Sequence, residues 1–337
     1  MSRIGVMLIN LGTPKSPYPK DVYAYLKQFL NDPRVIDLPL FIRYFLVNWI
    51  VLPFRYKKSS IAYQKIWTEN GSPLLINSQD LVSSLSQELG NPFQVALGMR
   101  YGNPSIKQGF EHLKECNKII AIPLFPQYSC AATGSAIEEL LRTIGSQLNI
   151  PEIHIKKDFY CDPDFINAYT NLIKPYVHNK QIEKVIFSYH GLPVRQLEKG
   201  ICNNTTCSKN NDCPSMQFDN LNCYRAQCYE TSRLIASSLY LDRSQYEVSF
   251  QSRLGKTPWI KPYTDITLIE LRKKNINNIA IVCPSFVADC LETLEEINIK
   301  AREQWSSLGG NEFLFIPSLN NGIFWVKSLK QMVYRMM

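Results

Sequence analysis

The sequence predicts an α/β protein with two similar domains, each a doubly wound parallel sheet. Three observations predict this fold: similar segments recur in the same order in both halves of the chain, their apolar runs are continuous, and helix-like patterns lie between them. The paired segments are VMLINLGTP (6–14) with VIFSYHGLP (185–193), VALGMRYGNP (95–104) with VSFQSRLGKTP (248–258), and IIAIPLF (119–125) with IAIVCPSF (279–286). Paired members lie roughly 150 to 180 positions apart, and three pairs in one order indicate a duplication.

The apolar runs do not alternate with polar residues, which is typical of parallel strands covered on both faces. Patterns such as DLVSSLSQEL, SIKQGFEHLKEC and DITLIELRKKN predict helices between them. We expect a first domain at 1–150, which includes an apolar segment at 38–58, and a C-terminal helix at about 320–337 could pack back on it. The second domain is expected at 151–319, with ligands bound at the carboxyl ends of the strands in a cleft between the domains.

The composition is that of an ordinary globular protein of 337 residues, with 45% hydrophobic residues and a formal charge of +8. This charge suits anionic substrates or anionic lipid surfaces. Long basic runs interleaved with aromatic residues are absent, so nucleic acid is not an expected partner. The first apolar run is too short for a secretion signal, and we therefore expect a cytoplasmic protein.

The segment Leu38–Phe54 is the most apolar long stretch of the chain. It contains Arg43, Asn48 and two prolines, which argue against a membrane span. The basic sequence RYKK (55–58) follows it directly, so the segment could rest on a membrane surface. A buried helix with a basic end is the alternative.

Several common catalytic motifs are missing. No G-x-G-x-x-G or G-x-S-x-G is present. The sequence GKT (255–257) resembles the end of a phosphate loop, but Phe250 occupies the place of the required first glycine. Hydride transfer, phosphoryl transfer and serine hydrolysis therefore lose support.

An acidic stretch, SFVADCLETLEEI (285–297), predicts a helix at 289–300. If an α-helix begins near Asp289, then Asp289, Glu292 and Glu296 line one face. Together with His190 at the end of a predicted strand, these carboxylates would suit a divalent metal and proton transfer. The alternative is structural: Asp289 and Glu292 also form a capping-box-like helix start, and a lone histidine at a strand end is often structural.

Five segments closely resemble those of ferrochelatases, enzymes that insert ferrous iron into a porphyrin to make haem. They are NLGTP, FPQYSCAATGSA, SYHGLP, QSRLGKTPWIKPYTD and PSFVADCLETLEEI, in order from Ile4 to about Pro317. The resemblance implies two flavodoxin-like domains and a lyase that takes protoporphyrin IX and Fe²⁺, the last step of haem biosynthesis. It also implies that the apolar segment is a lip that rests on the membrane.

The resemblance further assigns site residues. His190 and Glu292 match the catalytic pair and metal ligands, and Asp289 and Glu296 lie further along the metal path. The porphyrin-binding positions are Leu11, Arg100, Tyr101, Tyr128, Ser252, Trp259 and Phe286. Arg100 could pair with a propionate. Leu11, rather than a tyrosine, resembles the branch that uses protoporphyrin; coproporphyrin or another tetrapyrrole is the nearest alternative substrate.

These residue types fit the chemistry of metal insertion. A free-base porphyrin must lose two pyrrole protons, which an imidazole can accept near neutral pH. Carboxylates are weak, exchangeable ligands that could pass iron inward. A tight aromatic pocket could bend the ring at the expense of binding energy.

Five of the ten cysteines crowd into residues 202–228. Such clustering in a reducing compartment favours metal or iron-sulfur binding, and the spacings differ from zinc-ribbon pairs. Some bacterial ferrochelatases are similar in holding a 2Fe-2S cluster in an internal insertion after the histidine motif. We expect the ligands to be Cys202, Cys207, Cys213 and Cys223, with Cys228 as a further candidate.

A rival interpretation of another class is a haem or iron-sulfur sensor that keeps the fold without catalysis. Loss of His190 or Glu292 would favour it, and both residues are present.

Overall fold

Two four-stranded parallel sheets form the framework of the chain. The computed structural model describes residues 3–178, 181–199, 212–253, 255 and 257–337. The chain divides into two compact units: the first comprises Met1–Phe125, Ser129–Asp158 and Asn320–Met337, and the second comprises Pro126–Tyr128 and Phe159–Leu319.

The sheet of the first unit has the strand order β2-β1-β3-β4. Its strands are β1 (Ile4–Gly12), β2 (Phe93–Tyr101), β3 (Lys118–Pro123) and β4 (Glu152–Ile155). The central strand β1 pairs in parallel with β2 from Ile4↔Phe93 and with β3 from Ile4↔Lys118. Four successive residues of β1, from Val6 to Ile9, have no exposed surface. Burial of each such side chain stabilises the fold by about 1.5–3 kcal/mol, which explains the continuous apolar run.

Helices cover both faces of this sheet. They are α1 (Pro19–Leu30), α2 (Leu40–Phe45), α3 (Leu52–Ile66), α4 (Pro73–Leu89), α5 (Ile106–Glu111), α6 (Ser135–Gly145) and α12 (Ile323–Arg335), with π-helical segments at Leu46–Val51 and Cys130–Gly134. Ser105 starts α5 with a capping box to Gln108, which satisfies amide groups at the helix start. The C-terminal helix α12 packs on α4, where Lys330 and Glu88 form an ion pair of 3.0 Å.

The second unit repeats this plan with the strand order β6-β5-β7-β8. Its strands are β5 (Lys184–His190), β6 (Tyr246–Gln251), β7 (Asn278–Val282) and β8 (Glu312–Phe315). Its helices are α7 (Pro163–His178), α8 (Val194–Lys199), α9 (Tyr224–Ser238), α10 (Thr264–Lys273) and α11 (Arg302–Ser307), with a 3-10 turn at Arg243–Gln245 and a π-helix at Glu292–Ala301. The central strand β5 pairs with β6 and β7, both in parallel.

The predicted fold class is confirmed: each unit is a parallel sheet with helices, and the two units share one strand order. The six strands that the repeated segments predict are all present. The sequence patterns missed β4 and β8, which are short edge strands of four residues. A run of that length carries too little periodicity to stand out from a loop.

A buried carboxylate joins α1, β2 and α6 in the first unit. Asp32 follows α1, and its side chain is 3% exposed. Its Oδ2 accepts hydrogen bonds from Arg100 Nη2 (2.6 Å), the Tyr101 hydroxyl (2.8 Å) and the Ser135 hydroxyl (2.6 Å). The Arg34 amide donates to Oδ1 at 2.7 Å. All four bonds hold the ionised form of Asp32 in place.

These donors outweigh the effect of burial on the pKa of Asp32. Burial alone would raise this pKa, but the hydrogen bonds from Ser135, the Arg34 amide and Tyr101, with the charge of Arg100, lower it below its ordinary value of 3.8. A lowered pKa means that the stabilisation is fully present above pH 3.8 and is lost as the pH falls through the lower, folded-state value.

We therefore expect Asp32→Asn to lower the free energy of unfolding by about 3 kcal/mol at neutral pH, because Arg100 loses its buried anionic partner. The loss should be equal at pH 7 and pH 5 and should shrink as the pH falls below 3.8. Urea unfolding of both proteins across this range measures it. The control is Glu115→Gln, which removes the exposed partner of Arg3 and should change little. A difference that persists unchanged at pH 3 would contradict the ionic role of Asp32.

Candidate active site

His190 is the last residue of β5, where the carboxyl ends of the parallel strands of the second unit lie. Its ring Nδ1 lies 2.6 Å from the carbonyl oxygen of Gly191. A carbonyl oxygen can only accept, so Nδ1 carries the hydrogen and the lone pair of the neutral ring is on Nε2. Nε2 is therefore the atom that can accept a proton or bind a metal.

A close backbone approach explains the glycine after this histidine. The amide of Gly191 donates to the carbonyl oxygen of Gln251 on the neighbouring strand, at 2.8 Å. A Cβ atom at position 191 would lie 2.7 Å from that oxygen and 3.2 Å from the ring of Trp259. Only glycine allows this contact. Gly191 therefore keeps the chain that follows His190 close to β6.

Two aromatic side chains flank the imidazole. The ring of Trp259 lies 6.5 Å from the ring of His190 and the ring of Phe286 lies 6.2 Å from it, centroid to centroid. Backbone bonds fix Trp259, since Pro193 and Trp259 form a bridge between extended segments. The hydroxyl of Tyr169 donates to the carbonyl of Phe286 at 2.9 Å. The imidazole thus lies among aromatic groups that are suited to a flat apolar ligand.

The acidic segment forms a π-helix, Glu292–Ala301, and not the predicted α-helix from Asp289. With hydrogen bonds from i to i+5, its turn is longer than that of an α-helix, so residues four apart share a face. Glu292 and Glu296 are four apart. The prediction of three carboxylates on one α-helical face is wrong, because Asp289 precedes the helix in irregular backbone.

Asp289 is buried and has a structural environment. Its Oδ1 accepts hydrogen bonds from the Thr293 hydroxyl (2.9 Å) and the Ser318 amide (3.1 Å). The predicted capping box with Glu292 is also replaced, since the Cys290 amide donates to the Thr293 hydroxyl at 3.0 Å. Asp289 therefore anchors the start of the π-helix to the segment after β8.

Glu296 is held by Ser252, at the end of β6. The Ser252 amide donates to its carboxylate at 2.7 Å, and the Ser252 hydroxyl donates to the other oxygen. Ser252 has φ +66°, a left-handed conformation that is costly for serine and is typical of functional sites. The structure thus shows Ser252 orienting Glu296, and its predicted contact with a porphyrin stays a prediction.

Burial raises the pKa of Glu296 above its ordinary value of 4.5. The bonds from Ser252 and the charge of His190 lower this pKa in part, and the negative charge of Glu292 raises it. His190 and Glu292 are thus near enough to affect the ionisation of Glu296. A carboxyl group with a raised pKa beside a histidine is typical of sites that move protons.

The porphyrin-binding positions predicted in the first unit have different environments. Leu11 is half-buried near the end of β1. Arg100 is 17% exposed and donates to Asp32 and Ser135. Tyr101 is 1% exposed, and its hydroxyl donates to the same Asp32 oxygen that accepts from Arg100. It therefore helps to hold the partner of Arg100 in place. Because Tyr101 is almost fully buried, this arrangement does not expose its side chain to a ligand.

Tyr128 belongs to the second unit, where its amide donates to the side chain of Gln227 at 2.7 Å.

Sequence reasoning missed several residues that position His190. The Ser285 hydroxyl accepts from the His190 amide at 3.2 Å, and the Tyr224 hydroxyl donates to the His190 carbonyl at 2.8 Å. Gln251 pairs with His190 across the strands, and a polar residue in the apolar run VSFQ was the signal for it.

Cys202 and Cys207 lie outside the described residues. Cys213 and Cys223 are buried, and Cys223 directly precedes α9. A guanidinium nitrogen of Arg225, Nη1, donates to the Cys213 sulfur at 2.7 Å. Cys228 has no exposed surface, and burial raises its pKa well above the ordinary value. In the described ranges, no group of three or more His, Cys, Asp or Glu side chains is arranged to hold a metal ion.

Known proteins resemble the chain along its length. A model of the ferrochelatase family matches residues 3–337. A ferrochelatase of Legionella pneumophila (strain Lens) is 52% identical over 331 residues, which are 98% of each chain. A ferrochelatase of Coxiella burnetii (strain CbuK_Q154) is 49% identical over 333 residues, 98% of this chain and 93% of its own.

Among solved structures, SirB from Bacillus subtilis with Fe³⁺ has a TM-score of 0.56 at 11% identity, covering 99% of this chain and 95% of its own. Such a low identity supports the fold alone. The family assignment rests on the match of the family model over residues 3–337 and on the two relatives that are about half identical. The chain therefore belongs to the ferrochelatase family and is a metal chelatase.

Proposed function

We propose that the protein inserts ferrous iron into protoporphyrin IX, giving protohaem and two protons as the last step of haem biosynthesis. The observation that carries the proposal is the geometry at His190: the Gly191 carbonyl fixes the hydrogen on Nδ1 and leaves Nε2 to accept a proton, and the carboxyl of Glu296 is near enough to interact with both His190 and Glu292. Such a group can accept pyrrole protons and hold a cation for a short time.

The roles divide by environment. His190 accepts pyrrole protons at Nε2, with Glu292 as its partner in metal or proton transfer. Glu296, whose raised pKa favours proton uptake, passes metal or protons along the π-helix. Asp289 was expected on the same path, but its bonds to Thr293 and Ser318 support an anchoring role.

The aromatic rings around His190 support a porphyrin as the substrate. Trp259 and Phe286 lie at distances that suit contact with a flat ring. The choice of protoporphyrin rests on Leu11, an apolar residue where a polar side chain would favour a more carboxylated porphyrin. Insertion rates with protoporphyrin and coproporphyrin compared side by side decide between these substrates, and a preference for coproporphyrin would overturn the choice.

We expect His190→Ala to abolish iron insertion and Glu292→Gln to reduce it by a factor of roughly 10² or more, since proton-transfer groups contribute about that much. The measurement is the shift of the Soret band when purified protein is incubated without oxygen with ferrous iron and protoporphyrin. His154→Ala is the matched control, because it removes a half-exposed histidine of the first unit that pairs with Glu152. Full metalation by the His190 variant would refute the mechanism, and no metalation by the wild type would favour the sensor.

We also propose a 2Fe-2S cluster bound by Cys202, Cys207, Cys213 and Cys223. The described members suit such a group chemically, because Cys213 and Cys223 are buried thiols and Arg225 can stabilise a thiolate at Cys213. When bound, a 2Fe-2S cluster supplies one-electron chemistry. Cys228, within α9, has no exposed surface, whereas Cys223 precedes the helix and is 6% exposed. This difference supports Cys223 over Cys228 as the fourth ligand.

Protein purified without oxygen should show the visible spectrum of a 2Fe-2S cluster. Cys207→Ser and Cys213→Ser should lose this spectrum, since each removes a thiolate ligand, and Cys228→Ala should keep it. Cys116→Ser, a buried thiol of the first unit, is the control and should leave the spectrum unchanged. Colourless wild-type protein with stoichiometric zinc would refute the cluster.

We propose, third, that the lip at 38–58 binds the membrane surface. Eight apolar side chains of this segment are exposed, from 46% to 84%: Leu40, Phe41, Ile42, Tyr44, Phe45, Trp49, Ile50 and Phe54. Exposure of this size in one segment is typical of an interaction surface. The adjacent Lys57 and Lys58 are exposed and suit anionic headgroups. None of the helices in the described part of the chain has the length and hydrophobicity needed to cross a bilayer.

We expect the double variant Phe41→Ser, Phe54→Ser to bind vesicles that contain phosphatidylglycerol on the order of tenfold less tightly, because two large apolar groups no longer enter the interface. Co-sedimentation measures the bound fraction. Phe218→Ser is the matched control, since it removes a phenylalanine of the second unit that is 94% exposed. Equal loss of binding in the control would show that the lip has no special part.

A further inference from the structure

Gln251, the last residue of β6, contacts the segments that carry both His190 and Glu292. It is 4% exposed. Its side-chain Nε2 donates to the carbonyl oxygen of Glu292 at 2.9 Å. Glu292 is the first residue of the π-helix, so this bond fixes the end of the helix at which the proposed catalytic carboxylate stands.

The other end of the Gln251 amide is fixed as well. Its Oε1 accepts from the Ser188 hydroxyl at 2.8 Å and from the Cys283 thiol at 3.6 Å. A flipped amide would turn an oxygen toward the Glu292 carbonyl, and two acceptors repel. The donor of Gln251 is therefore oriented at Glu292.

The backbone of Gln251 holds the histidine side of the site. Its carbonyl accepts from the Gly191 amide at 2.8 Å, and His190 is its register partner in β5. Its neighbour Ser252 binds the carboxylate of Glu296. Two successive residues at the end of β6 thus tie the imidazole to both carboxylate positions.

We infer that Gln251 is a positioning residue that sets Glu292 at the correct distance from His190 for metal transfer. The inference rests on the proposed function, in which Glu292 is the partner of His190. Displacement of a transfer group by a fraction of an ångström to one ångström reduces rate strongly, whereas the aromatic groups that contact a porphyrin are held by other bonds. Loss of the Gln251 donor should therefore act on the metal step and leave porphyrin binding unchanged.

The test compares Gln251→Met, which has a similar shape without a donor or acceptor, with wild type under anaerobic conditions. We expect kcat/KM for ferrous iron to fall on the order of tenfold to a hundredfold. The Kd for protoporphyrin, measured by quenching of tryptophan fluorescence, should stay within about twofold. Gln251→Leu also lacks the donor and adds no charge, and it decides the question if the methionine variant does not fold.

Ser249→Ala is the matched control. Its hydroxyl is fully buried beside Thr264 at 2.9 Å in the same polar cluster, and it does not contact Glu292 in the described structure. This variant should lower the melting temperature and leave the iron kinetics unchanged. If Gln251 had only a structural role, its variants would also lower the melting temperature and leave the iron kinetics unchanged.

A double-mutant cycle separates action through Glu292 from other effects. Gln251→Met in a Glu292→Gln background should cost little beyond Glu292→Gln alone, because the group that it positions is already lost. Additive losses, unchanged iron kinetics in both Gln251 variants, or an equal loss of porphyrin affinity would overturn the inference. Full activity of Glu292→Gln by itself would instead overturn the proposed function.

Discussion

The backbone contact between Gly191 and Gln251 is the constraint on which the site depends. Because the glycine has no Cβ, the chain after His190 stays against β6, and the carbonyl of Gly191 can meet Nδ1 of the imidazole. That contact decides which ring nitrogen is available for chemistry. The same residue of β6 then binds the first residue of the π-helix. One register between two parallel strands thus connects the imidazole of His190 with the backbone of Glu292.

Two carboxyl groups in this chain show how donors decide what a buried acid does. Asp32 receives four hydrogen bonds, one from Arg100, and its pKa lies below the ordinary value. Within the described part of the chain, the carboxylate of Glu296 accepts hydrogen bonds from the amide and hydroxyl of Ser252. Burial and the negative charge of Glu292 raise its pKa. The first acid stays ionised and stabilises the fold. The second takes up a proton more readily than an ordinary glutamate does.

The fold was predictable from sequence because it depends on strong, local patterns. Continuous apolar runs gave six of the eight strands, and the repeat gave the similarity of the two units. The residue types at His190 and Glu292 also suggest proton and metal chemistry, and this stays a prediction. The helix type at Glu292–Ala301 was not predictable, because an α-helical and a π-helical stretch share one composition. Tertiary bonds, from Gln251 to the Glu292 carbonyl and from Asp289 to Thr293 and Ser318, hold its start instead. No pattern within the segment records those partners.

The two units place different side chains on the same strand-end turn. In both units a glycine stands at the carboxyl end of the central strand, where a neighbouring carbonyl leaves no room for a Cβ: Gly12 is the last residue of β1 and lies against the Tyr101 carbonyl, and Gly191 follows β5 and lies against that of Gln251. The turn is therefore a requirement of the fold and is not evidence of function. The side chains around it differ. The first unit has Leu11 before its glycine, and the hydroxyl of Tyr101 bonds the ion Asp32. The second has His190 before its glycine, and the amide of Gln251 bonds the backbone of Glu292. Equivalent strand ends thus support a static ion pair in one unit and an imidazole beside titratable carboxyls in the other.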